Sequence, residues 1–109
     1  MITDQQIQEV TKIIVEEVQP EKVFLFGSYA LGINDKNSDV DFIVVVNKTL
    51  KKSKRIDEMV KLNLKTALPN LLFPKDFKMY SMEEYKKLRD NTSSFLYSAL
   101  QDSKVLYER

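Results

Sequence analysis

Two aspartates one residue apart, Asp39 and Asp41, stand directly ahead of an apolar run, Phe42 to Val46. On an extended strand successive side chains alternate, so both carboxylates leave the same face with their Cα atoms about 6.6 Å apart at ~3.3 Å per residue. Two anions held this close in a partly dry site raise each other's pKa. A divalent cation removes that conflict, and oxygen ligation with open positions suits Mg²⁺ bridging to substrate phosphates. Upstream, Gly27-Ser28 closes another apolar run. The glycine lets backbone approach a phosphate, and the serine offers a hydroxyl and an amide at the start of a helical turn. A third acid, Asp76, falls on the polar side of "KDFKMY", where Phe77 and Met79 alternate with Asp76, Lys78 and Tyr80. Each feature alone is commonplace: Gly-Ser after a strand is an ordinary turn with an N-cap serine, and single acids on edge strands are usually solvated.

Composition narrows the chemistry. The 109 residues are 43% hydrophobic and 30% charged, with a net charge of +1, which describes one globular domain, 1–109, able to bury a sizeable core. Cysteine and histidine are both absent, so disulfides, thiolate or imidazole metal sites and histidine-activated nucleophiles are excluded. Catalysis would rest on carboxylates, hydroxyls, Lys, Arg or a hard metal ion. No apolar stretch is long enough to span a bilayer and the N-terminus has no signal-peptide pattern, so the expectation is a cytoplasmic protein with no membrane contact. The near-neutral charge argues against direct nucleic-acid binding, although Asn47 to Arg55 is locally basic.

The elements that must position these residues follow from pattern. Thr3 and Gln6 form a capping box ahead of Ile7, Val10, Ile14 and Val18, which predicts a helix over Asp4 to Val18 stopped by Pro20. Strands are predicted at Lys22 to Phe26 and Asp39 to Val46, with a helical turn from Ser28 to Leu31 between them. Ile56, Met59, Val60, Leu64 and Leu68 recur at helical spacing and predict a helix from Ser53 to Leu68, closed by Pro69. A strand at Lys75 to Tyr80 follows, then a helix opened by the Ser81/Glu84 capping box and running to about Arg89, a helix over 93–101 and a final strand, "KVLYE". If the first two strands are antiparallel neighbours, Gly27-Ser28 meets Asp39.

Taken together, Gly27-Ser28, the Asp39-x-Asp41 pair ten residues on, and Asp76 on a later strand resemble the nucleotidyltransferase superfamily of DNA polymerase β. More narrowly, "VFLFGSYALG", "SDVDFIVVV", "PKDFKMYSMEEYKKL" and "KVLYER" look like a minimal nucleotidyltransferase, the antitoxin of a HEPN/MNT toxin-antitoxin pair. The resemblance implies an α/β (α+β) fold, with a small mixed sheet, helices packed on one face and the active site on the other. It further implies that Asp39, Asp41 and Asp76 are catalytic and hold two Mg²⁺ ions, that Gly27 and Ser28 bind the triphosphate of ATP, and that AMP passes to a hydroxyl, a tyrosine, of a HEPN-domain partner encoded nearby. One departure stands out: Leu31 occupies a position where such proteins usually carry arginine, leaving Lys36, Lys48 or Arg55 as basic residues to replace it. Two other readings stay open. One is an inactive domain of this fold that neutralises its partner by binding; the other is a small-molecule nucleotidyltransferase, which a core this small is expected to leave without an acceptor pocket.

Overall fold

The computed structural model describes residues 2–109. Its elements in chain order are α1 (Asp4–Val18), β1 (Lys22–Phe26), α2 (Ser28–Leu31), β2 (Val40–Val46), α3 (Lys52–Lys65), a 3₁₀ turn (Pro69–Leu71), β3 (Lys75–Ser81), α4 (Met82–Leu88), α5 (Phe95–Gln101) and β4 (Lys104–Glu108). The strands form one mixed sheet in the order β3-β2-β1-β4. Both partners of β1 run antiparallel to it, whereas β2 and β3 are parallel and are joined across α3, as a parallel pair requires a crossover.

Local chemistry explains several boundaries. Thr3 caps α1, its hydroxyl accepting from the Gln6 N–H at 3.2 Å while the Gln6 side chain accepts from the Thr3 N–H at 2.8 Å. The same reciprocal box opens α4 between Ser81 and Glu84. Each satisfies two donors that a helix start otherwise leaves unpaired. α1 ends at Gln19 in a left-handed conformation (φ 48°) before Pro20.

Strand alternation divides the core in two. Val23, Leu25, Val40, Phe42, Val44, Val46, Phe77 and Met79 point to one face, where Ile7, Val10, Ile14 and Val18 of α1 and Leu62 of α3 pack on them. Phe24, Phe26, Ile43 and Val45 point to the other face and meet Tyr85 of α4 and Leu96 of α5, with Phe24 and Tyr85 stacked at 6.0 Å. The sequence predicts a single pair of layers, with the second face given to the site. Instead, α4 and α5 cover one end of that face, and only its other end is left to the acidic residues. The cause is legible in β2: Ile43 and Val45 are as fully buried as Phe42 and Val44, so both sides of this central strand need a cover.

α3 departs further from expectation. Its range is close to the predicted one and Met59 packs against the core, but Ile56, Val60 and Leu64 are exposed while Leu62 and Glu58 are buried. Polar anchors set this rotation. Arg55 donates to the Met79 carbonyl at 2.9 Å and to Glu84 at 2.7 Å, Lys61 donates to the Glu17 carbonyl at 3.0 Å, and Lys54 reaches the buried Glu58 at 3.3 Å. Among the described residues no helix is long and apolar enough to cross a membrane.

Candidate active site

The acidic residues gather where β1 ends and where β2 and β3 begin. Asp41 and Asp76 are direct partners in the parallel β2–β3 register, and Phe26 pairs with Asp41 from the other side. Asp39 lies one residue before β2, exposed, rather than inside the strand as predicted. The ladder fixes where β2 starts: the Val40 N–H donates to the Pro74 carbonyl at 3.0 Å. Asp39 therefore stands outside the regular pleat, steered by the turn before it. In that turn the Asp35 carboxylate accepts from the Asn37 N–H at 2.8 Å, and the Ser38 hydroxyl accepts from the Asp35 N–H at 2.9 Å. Asn, Asp and Ser close local turns through such bonds. The string "NDKNS" carries that signal in the sequence itself.

Gly27 shows why this position needs glycine. Its φ is +78°, where L side chains are strained, and a Cβ would lie 2.7 Å from Oδ2 of Asp41. The sequence argued for a glycine that lets a phosphate approach; the structure shows that it also lets the Asp41 carboxylate lie against the backbone. Ser28 opens α2, and Gly27 brings no side chain to cap that turn. The backbone of Gly27-Ser28 and the carboxylate of Asp41 thus face the same small volume.

Electrostatics at this point are unfavourable to anions. The Asp41 carboxyl is pushed above the usual carboxylate range, first by burial and then by the charges of Asp76 and Asp39, with Lys78 opposing the shift. Lys78 is a participant that sequence reasoning placed only on the strand face: its Nζ lies 3.3 Å from Oδ2 of Asp76. The i, i+2 spacing on β3 held that signal. Tyr80 shares that strand face with Asp76 and Lys78, as expected, but lies at the end covered by α4 and α5 and packs against the cluster there. Of the basic residues considered as replacements for an arginine at Leu31, Arg55 is engaged by Glu84 and Lys48 lies 3.9 Å from Glu58.

Among the described residues no three His, Cys, Asp or Glu side chains are gathered closely enough to hold a metal ion by themselves. Two carboxylates in register with a third beside them still form a hard, all-oxygen donor set whose mutual repulsion a cation would relieve. A cavity of about 540 Å³ lies on the α1 side of the sheet, with Ile2, Gln6, Tyr29, Lys36, Phe73 and Pro74 among its walls, and neither the three acids nor Gly27 and Ser28 line it. Its size is that of a small-molecule site.

Residues 8–109 match the family model described as "Polymerase beta, Nucleotidyltransferase". The chain belongs to that family. Solved structures agree on the fold of this nucleotidyltransferase. One is a putative nucleotidyltransferase from Sulfolobus solfataricus, 22% identical, with 97% of this chain and 86% of that chain covered and a TM-score of 0.61. A second is a chain of a toxin-antitoxin complex solved with AMP-PNP, 21% identical, covering 94% of this chain and 73% of that chain, TM-score 0.59. A third is the spectinomycin adenyltransferase AAD(9) from Enterococcus faecialis with ATP and spectinomycin, 19% identical, TM-score 0.69; there 99% of this chain matches 57% of a longer one. No curated protein matches the sequence.

Proposed function

We propose that this nucleotidyltransferase moves AMP from ATP to a hydroxyl, a tyrosine, of a HEPN-type partner protein and so acts as an antitoxin. The observation that carries the transferase part is the register of Asp41 and Asp76 on adjacent parallel strands, with Asp39 beside them and Gly27 against Asp41. The toxin-antitoxin relative solved with AMP-PNP and the sequence resemblance support the partner and the nucleotide.

The donor set fits Mg²⁺, because that ion binds through one or two carboxylates plus substrate phosphates rather than a closed protein cage. Two bound ions would neutralise the triphosphate and lower the pKa of the attacking hydroxyl. Asp39 and Asp41 would hold them, and Asp76, once released from Lys78, would orient the acceptor and take its proton. Gly27 and Ser28 would present backbone N–H groups and a hydroxyl to the phosphates. The acceptor oxygen forms a bond to the α-phosphorus, the bond to the β-phosphate bridge breaks, and pyrophosphate leaves with the electron pair. Positioning and charge neutralisation would carry the rate, which suits a chain without histidine or cysteine.

The test is to co-express the chain with the product of the neighbouring reading frame and weigh that product by mass spectrometry, using Asp39→Asn as control. The expected result is one or more AMP additions with the native chain and none with the control. A partner that gains no mass yet is held inactive in a tight complex would support neutralisation by binding instead. One further reading, a small-molecule acceptor, takes its support from the adenyltransferase relative. Transfer to a small hydroxyl compound with no partner present would establish it.

A further inference from the structure

One aromatic ring stands at the rim of the acidic site. Phe95 begins α5, and the residues on either side of it are held in place. The Ser94 hydroxyl donates to the Leu88 carbonyl at 2.8 Å and accepts from the Tyr97 N–H at 3.0 Å, while Leu96 is buried in the cluster under α4 and α5. Phe95 itself is 53% exposed, and among the described residues no other aromatic side chain is exposed. Single exposed apolar residues are ordinary on a protein surface, so exposure alone assigns nothing. Position does.

The Phe95 ring meets Phe26 edge to face, with centroids 5.7 Å apart and planes at 81°, a favoured arrangement for two aromatic rings. Phe26 is the ladder partner of Asp41, and both side chains leave the sheet on the face that α4 and α5 cover only in part. Opposed side chains on neighbouring strands lie roughly 5 Å apart at Cβ, which puts the Phe95 ring on the order of 10 Å from Asp41. The sheet order also gives the ring a side. Across the open end of the face, β3 carries Asp76, β2 carries Asp41, and β1 ends in Phe26 with Gly27 after it. Asp76, which would orient the acceptor, is the acid farthest across the sheet from Phe26 and its neighbour Phe95. Gly27 and Ser28, which would hold the phosphates, follow Phe26 directly. The ring therefore lies on the donor nucleotide's side of the reacting phosphorus rather than on the acceptor's.

We propose that Phe95 is the nucleobase platform of the site: ATP lies with its triphosphate at Gly27-Ser28 and the acids, its ribose over Phe26, and its adenine stacked on the Phe95 ring. This rests on the proposed nucleotidyl transfer and names how its donor is held. Every nucleobase presents a π-face, so a stacking ring recognises heteroaromatic area rather than an edge pattern of donors and acceptors. A ring already braced by Phe26, on a helix start already capped by Ser94, gives up little freedom when a base settles on it.

The experiment titrates the full chain, in the presence of Mg²⁺, with AMP-PNP and separately with inorganic tripolyphosphate, which has no base. Phe95→Ala should weaken AMP-PNP by at least about tenfold, the scale of one base–aromatic stack, and leave tripolyphosphate within about twofold. Phe95→Leu keeps an apolar contact to Phe26 but offers no ring; it should lose as much AMP-PNP affinity as Phe95→Ala, whereas Phe95→Trp should bind at least as tightly as the native chain. In NMR the adenine ring protons should move upfield on binding the native chain and should not on binding Phe95→Leu. Unchanged AMP-PNP affinity in Phe95→Ala, equal weakening of both probes, or full affinity in Phe95→Leu would overturn the platform while nucleotide binding by the native chain stands. Retained AMP-PNP affinity in Phe95→Ala together with lost AMP transfer to the partner would also overturn it, and would move the ring to the acceptor's side. A native chain that binds neither probe would overturn the transferase reading itself, and the platform with it.

Discussion

Helices α1 and α3 are nearly equal in length, 15 and 14 residues, and both carry apolar residues at helical spacing, yet they use them oppositely. In α1 the periodic positions Ile7, Val10, Ile14 and Val18 are all buried. In α3 the periodic positions Ile56, Val60 and Leu64 face out, and the helix is held by Arg55, Lys61 and Leu62. Both faces satisfy the same periodicity. The difference teaches that spacing identifies a helix with an apolar side, while which side meets the core is decided by residues elsewhere in the chain.

The comparison breaks most readily in α1. Ile14→Ala deletes a fully buried side chain and should cost about 2–5 kcal/mol, read as a lower denaturant midpoint at unchanged slope. A loss under about 1 kcal/mol would mean that α1 is not the hydrophobic anchor described. Next in size is Arg55→Met, which removes the bonds to the Met79 carbonyl and Glu84. It should cost about 1–2 kcal/mol, since both bonds are charge-assisted but partly exposed, and amide exchange along 52–65 should quicken more than along 4–18.

A smaller effect appears with pH. Burial alone would raise the Glu84 carboxyl, but the hydrogen bonds from Arg55 and Ser81 and the Arg55 charge outweigh it and leave the pKa below the usual glutamate value of 4.5. The native state therefore releases this proton more easily than the unfolded chain. The stabilisation is present above the unfolded value and is lost as pH falls below 4.5 through the folded one. Unfolding curves of the native chain should weaken over that range, and those of Arg55→Met should weaken less steeply. An identical pH profile for the two would remove Glu84 from the anchoring of α3. The smallest change belongs to Leu64→Ser: at 71% exposure it should move stability by no more than about 0.5 kcal/mol. A large loss would show that Leu64 is covered within this chain, and would remove the contrast with α1.

The same physics separates what could be read from the sequence from what could not. The limits of α1, β1 and β4 were legible because cap, breaker and pattern lie within a few residues of each other: Thr3 with Gln6, Pro20, and the short apolar run inside "KVLYE". Of the site, the pairing of Asp41 with Asp76 was within reach because both acids fall on strand positions facing away from the cluster beneath α1. The displacement of Asp39 from the strand was not, since the bond from Val40 joins β2 to Pro74, which is distant in the chain and lies beside it only once β3 is in place. The rotation of α3 was hidden for the same reason, as Arg55 meets partners 24 and 29 residues away. Lys78 beside Asp76 sat in plain view at i, i+2 but was assigned to the surface. The second cluster under α4 and α5 was signalled by the unbroken run Phe42 to Val46 and went unread.

The pairing of β1 with β4 bears on how the chain is made. Residues 22–26 leave the ribosome early, yet one of their two ladder partners, 104–108, is synthesised some eighty positions afterwards. Until then β1 can take up β2 on one side while its other edge remains open to any extended strand, the condition in which nascent sheets misjoin. A Lys22–Glu108 ion pair and an Arg109 contact to Glu21 fasten that edge once it forms. The sheet is thus completed only after translation has passed β4, and a ribosome stalled before residue 104 would display an unfinished, adhesive sheet.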